Sequence, residues 1–156
     1  MIYDRLVKLP EFGHLLEGEA VVDFLLSAAP VVQAKKQVLG ACHLPMVQGK
    51  LRGVFLWMLE RTLDRMPDFL VTLDMEFWAE VDDRQREILV YHEMKHMIHD
   101  TDRDGELRFD EDGNPIWALI GHDIEEFTDT VARYGAYSEE LQVFLSAAGR
   151  KEGNDG

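Results

Sequence analysis

The segment His92-Glu93-Met94-Lys95-His96 sets two imidazoles four residues apart, with a carboxylate next to the first. On a helix, residues four apart lie one turn above each other, so both rings can aim at one ion while the glutamate projects beside it. Two histidines leave such an ion unsaturated. Catalytic zinc takes three protein ligands and keeps one position for a water whose pKa falls to about 7, and a neighbouring glutamate can accept the proton of that water during attack on a carbonyl. The pattern therefore predicts a mononuclear metal site, zinc by ligand type, with His92 and His96 as ligands and Glu93 as general base.

The third ligand must come from elsewhere in the chain. Gly121-His122-Asp123-Ile124-Glu125-Glu126-Phe127 is the leading segment. Read as the start of a helix, it puts His122 and Glu126 on one face, with Asp123 or Glu126 able to orient a histidine from behind. His122 is the first choice. Asp102, ten residues after His92, ranks second, because the arrangement that uses a ligand at that spacing needs glycine where this chain has His99. Glu126 ranks third.

A second pattern competes for a different metal. Asp100 to Glu111 matches a calcium loop, with acids at Asp100, Asp102, Asp104 and Glu111, glycine at Gly105 and an apolar residue at Leu107. Hard carboxylate oxygens suit Ca2+. Against this stand Asp112-Gly113-Asn114-Pro115, which would break the second helix such a loop requires, and Arg108 at a ligating position. Other polar candidates are weaker: Cys42-His43 is one pair of soft ligands without a second, and His14 has no evident partner. Tyr134 or Tyr137 could reach a tetrahedral oxyanion. Trp57, Trp78 and Trp117 read as core or cleft-wall aromatics.

These residues need elements to hold them. Asp82 followed by Gln85 has the form of a helix N-cap with its reciprocal partner, opening a helix from Asp83 to about His99 that carries the motif. Before it, Phe69 to Trp78 has strand formers in partial alternation. Gly49 to Arg65 places Leu51, Val54, Phe55, Met58, Leu59 and Thr62 at helical spacing, which predicts one buried stripe. Gly18 to Ser27 reads as a short helix stopped by Pro30. Asp112-Gly113 predicts a hairpin between Leu107-Arg108-Phe109 and Ile116-Trp117-Ala118. Two helices follow, Asp123 to Tyr134 and Ser138 to Ala147. The polar, glycine-rich residues 149–156 read as a disordered tail.

At 156 residues and 46% hydrophobic content, the chain suits one domain, residues 1–148. A net charge of −14 opposes direct nucleic-acid binding and favours basic peptide or protein partners. One cysteine excludes an internal disulfide and fits a reducing compartment. Asp23 and Pro30 interrupt the apolar stretch near the N-terminus, and no basic-then-apolar leader is visible, so a cytoplasmic protein without a membrane span is expected. The predicted fold is α+β, minimal zincin-like: a small sheet packed on several helices, with the metal-binding helix in the core.

The order of strand, His92-Glu93-x-x-His96 helix, short hairpin, then His122 to Phe127 followed by Arg133-Tyr134-Gly135, resembles the putative phage metallopeptidase family over roughly Gly49 to Tyr137. The resemblance implies a zinc peptidase of phage or prophage origin acting in the host cytoplasm, with His92, His96 and His122 as ligands and Glu93 as base. Two rival functions are a non-enzymatic, metal-stabilised acidic binding protein and an acidic mimic of nucleic acid that occupies a basic host protein.

Overall fold

A computed structural model describes residues 1–150 and divides the chain into two compact units, Met1–Ile120 and the residues from Gly121 onward. The first unit begins with helix α1 (Ile2–Leu6), a 3-10 turn (Pro10–Phe12) and helix α2 (Gly13–Glu17). Leu6, Phe12 and Leu15 turn into the core. Strand β1 (Val22–Ser27) follows, which corrects the helix expected over Gly18 to Ser27. Its β-branched and aromatic residues pair in parallel with a strand far along the chain, and that pairing overrides the local mixture of apolar and acidic positions.

Strands β2 (Val31–Gln33) and β3 (Lys36–Val38) form a two-residue hairpin. Ala34 and Lys35 turn it, both at positive φ (47° and 64°). That geometry is the one Asn-Gly usually signals, so an Ala-Lys turn gives the sequence no marker. Strand β4 (Gly40–His43) leads to helix α3 (Arg52–Leu63), which Asp64 ends in the left-handed region. Helix α3 lies within the expected span, but its stripe is not buried. Leu59 is the buried residue of the helix, while Leu51, Val54, Phe55, Met58 and also Trp57 are exposed.

Strand β5 (Phe69–Asp74) is the centre of a three-stranded sheet, with β1 parallel on one side and β4 antiparallel on the other. The strand stops four residues earlier than expected, because Asp74 turns its carboxylate onto the Phe77 N–H (2.8 Å) and caps helix α4 (Met75–Glu80). Helix α5 (Asp83–Lys95) opens with the expected capping box: the Asp82 carboxylate accepts from the Gln85 N–H at 2.8 Å, and the Gln85 side chain accepts from the Asp82 N–H. Val90 and Met94 pack one face of α5 into the core with Phe69, Val71 and Leu73 of β5. Arg5 pairs with Glu87, and the Tyr91 hydroxyl donates to Glu11 at 2.9 Å, so the N-terminal turns are tied to the same helix.

Helix α5 ends at Lys95, with His96 as its C-cap, and the chain turns at once into β6 (Met97–His99). The motif helix is thus shorter than the expected run to His99. Strand β6 pairs antiparallel with β7 (Trp117–Leu119), while the turn around Asp112-Gly113 carries a bridge between Phe109 and Pro115 and an Asp110 N–H donating to the Asn114 carbonyl at 2.9 Å. The expected hairpin is present, but its principal strand pair lies further from the turn.

The second unit contains helices α6 (Thr128–Tyr134) and α7 (Glu139–Ala147). Ser138 caps α7 by accepting from the Leu141 N–H, and the helix expected over Ser138 to Ala147 is present. Helix α6 starts later than expected: residues 123–127 are not helical, and the Glu126 carboxylate instead accepts from the Phe127 N–H (2.7 Å) and the Tyr137 hydroxyl. Of the expected tail, residues 151–156 lie outside the described residues. Among the described residues no helix is long and apolar enough to cross a membrane.

Candidate metal centre

One side of α5 packs against the sheet and the roughly opposite side carries the histidines. Positions 90 and 94 are buried, 92 and 96 lie one turn apart on the far face, and 93 falls on the flank between the two. This periodicity explains why His92 is exposed and His96 half-buried while Glu93 is only 3% exposed. The His92 and His96 rings stand 5.2 Å apart between centroids at an interplanar angle of 79°.

His96 is held on three sides. Its backbone N–H donates to the Glu93 carbonyl as the helix closes, and its own carbonyl accepts from the Ile120 N–H at 2.9 Å. Its ring Nδ1 lies 2.6 Å from the Ile120 carbonyl. A carbonyl can only accept, so Nδ1 carries the proton and Nε2 is the nitrogen of this tautomer that can bind an ion. This partner, just beyond β7, was not read from the sequence, because backbone carbonyls leave no residue-type signature. His14, for which the sequence offers no partner, makes a comparable bond to the backbone, with its Nε2 2.8 Å from the Met97 carbonyl, and so ties α2 to the start of β6.

Glu93 lies against β4, where the Cys42 backbone N–H donates to its carboxylate. Burial pushes the Glu93 carboxyl above its ordinary pKa, opposed by the nearby His96 and by that N–H. Burial, reinforced by the Glu93 charge, pushes the Cys42 thiol up to about 12. Cys42 is therefore a neutral core residue rather than a soft ligand.

His92, His96 and His122 are the residues, among those described, that could hold a metal ion. Three imidazole nitrogens suit zinc, which binds histidine nitrogens at about 2.0–2.1 Å. The residues present fit the ion.

The other candidates are not brought together. Asp102 accepts from the N–H groups of Asp104 and Glu106 at 2.8 and 3.0 Å, so its oxygen serves the loop's own turn. Asp100 is paired with Arg108. A strand, not a helix, precedes this loop, and Asp100, Asp102, Asp104 and Glu111 do not form a metal-ligand group among the described residues. Glu126 is likewise outside the histidine group, because the helical face expected to align it with His122 does not form. Tyr137 spends its hydroxyl on Glu126.

With this geometry in view, the family comparison decides what the chain is: the model of the family described as Putative phage metallopeptidase matches residues 1–149. The chain belongs to this family. No curated protein and no solved structure matches it. As a member of the phage metallopeptidase family, the chain is expected to carry a metal, and His92, His96 and His122 are residues that could bind one.

Proposed function

We propose that this phage metallopeptidase family member is a zinc-dependent peptidase in which His92, His96 and His122 hold the ion and Glu93 is the general base. When bound, zinc supplies Lewis acidity, lowering the pKa of a water and polarising a carbonyl. The Ile120 carbonyl fixes the His96 tautomer so that Nε2 is offered as a ligand. Glu93 takes a proton from the attacking water at a carboxylate oxygen and passes it to the leaving amine. Its burial suits the first transfer, since a desolvated carboxylate accepts a proton more readily than an exposed one. The substrate is a peptide or protein, and a chain of net charge −14 steers basic segments toward itself.

The observation that most supports this function is the position of Glu93. A carboxylate is buried beside a histidine pair, with one backbone N–H to hold it and, among the described residues, no Lys or Arg side chain salt-bridged to it. Burying a charge in that manner costs stability and is retained at sites where the charge is used. The test is Glu93→Gln in zinc-loaded protein, assayed on unfolded basic protein substrates. The variant is expected to keep its zinc and to lose hydrolysis by at least about a hundredfold; hydrolysis at the wild-type rate would refute the role of Glu93.

A further inference from the structure

We infer that Gly40 is a positioning residue for Glu93: the missing side chain at the start of β4 lets the Glu93 carboxylate lie against the strand and accept the Cys42 N–H. This inference rests on Glu93 being the general base.

A Cβ built on Gly40 would stand 2.8 Å from Glu93 Oε1, 3.2 Å from Glu93 Cδ and 3.2 Å from Leu73 Cδ2. The first distance is closer than atoms of these types approach, so something must move. The backbone of β4 cannot readily do so, because Gly40 and Cys42 are in register with Leu73 and Val71 of the central strand. Leu73 is 2% exposed and packed in the core. The free end of the Glu93 side chain is the group able to yield, and yielding takes its oxygen away from the Cys42 N–H.

Gly40 is not demanded by the backbone. It is absent from the residues at positive φ, so alanine can adopt its conformation. Glycine within a strand is otherwise unfavourable, since it has more freedom to lose on folding and nothing to pack. Gly18 makes the instructive contrast. A Cβ there would meet the Trp117 ring at 2.5 Å, which is a packing constraint between two apolar surfaces of the core. At Gly40 the obstructed group is instead the one buried carboxylate of the motif.

The chain has a single cysteine, so labelling with 15N-cysteine gives one amide resonance, that of Cys42, which reports directly on the Glu93 contact. The experiment records that resonance in the full-length, zinc-loaded wild type, in Gly40→Ala, in Glu93→Ala and in the double variant. It also measures bound zinc and cleavage of denatured casein.

Gly40→Ala is expected to move the resonance most of the way to its position in Glu93→Ala, and to cause little further change when Glu93 is already alanine. Zinc content should stay at the wild-type value while casein cleavage falls on the order of a hundredfold. A resonance that stays at the wild-type position in Gly40→Ala, or that shifts equally with and without Glu93, would overturn the role of Gly40 whatever the activity. If wild type cleaves no casein while the resonance behaves as expected, the positioning of Glu93 by Gly40 stands and the peptidase function falls.

Discussion

Two stretches of this chain look like metal sites in sequence, and they fold to opposite ends. In the helix carrying His92 and His96, the Ile120 carbonyl takes the His96 Nδ1 proton, which makes Nε2 the nitrogen that can bind an ion. In the loop from Asp100 to Glu111, the acids are consumed locally: Asp102 by two loop N–H groups, Asp100 by Arg108. Spacing alone does not make a ligand. What matters is whether the fold orients the side chain as a ligand by meeting its other demands.

The sharpest way to break this comparison is to change one stretch at a time. Replacing His92 and His96 together by alanine should remove essentially all bound zinc, whereas Asp102→Asn with Asp104→Asn should leave zinc stoichiometry unchanged; both are read by elemental analysis. Metal addition gives the next largest contrast. Zinc at a hundredfold excess over its Kd should stabilise the metal-free protein by about 2.7 kcal/mol, seen as a rise in thermal midpoint, while millimolar calcium should shift the midpoint by less than about 1 °C. A calcium-dependent rise as large as that of zinc would restore the acidic loop as a site.

Smaller effects test the surroundings of Glu93. In metal-free protein, Glu93→Gln should raise the thermal midpoint by about 2–4 °C, because the amide keeps an acceptor for the Cys42 N–H without a buried charge; a fall would mean that the charge stabilises the fold. With its thiol pushed up to about 12 by burial, Cys42 should be alkylated at pH 8 at least about a hundredfold more slowly in native protein than in denaturant. Equal rates would show β4 to be open. Last, Asp82→Ala should cost about 1 kcal/mol of stability through loss of the α5 cap, measured by urea unfolding.

What was legible in the sequence was what depends on near neighbours. The His92-Glu93-x-x-His96 face and the Asp82–Gln85 capping box are set by spacings of three and four residues, and both formed as expected. The strand at Val22–Ser27 was misread because its partner, β5, is remote and its own pattern is not alternating. The ends of elements went astray for a related reason. Asp74 and His96 each act as a cap, one beginning a helix and the other ending one, and nothing in the composition of Phe69 to Trp78 or of residues 97–99 announces the change. The pocket of Glu93 was the least legible feature, since it is made by an absent side chain at Gly40 and a backbone N–H at Cys42.

The central claim is that the histidine group holds a metal and Glu93 does not. Elemental analysis of zinc in wild type, His92→Ala/His96→Ala and Glu93→Gln, each purified without added metal and again after reconstitution, tests it most directly. The account predicts close to one zinc per chain in wild type and in Glu93→Gln, and almost none in the double histidine variant. Wild type that takes up no zinc, or a histidine variant that takes up as much as wild type, would contradict it.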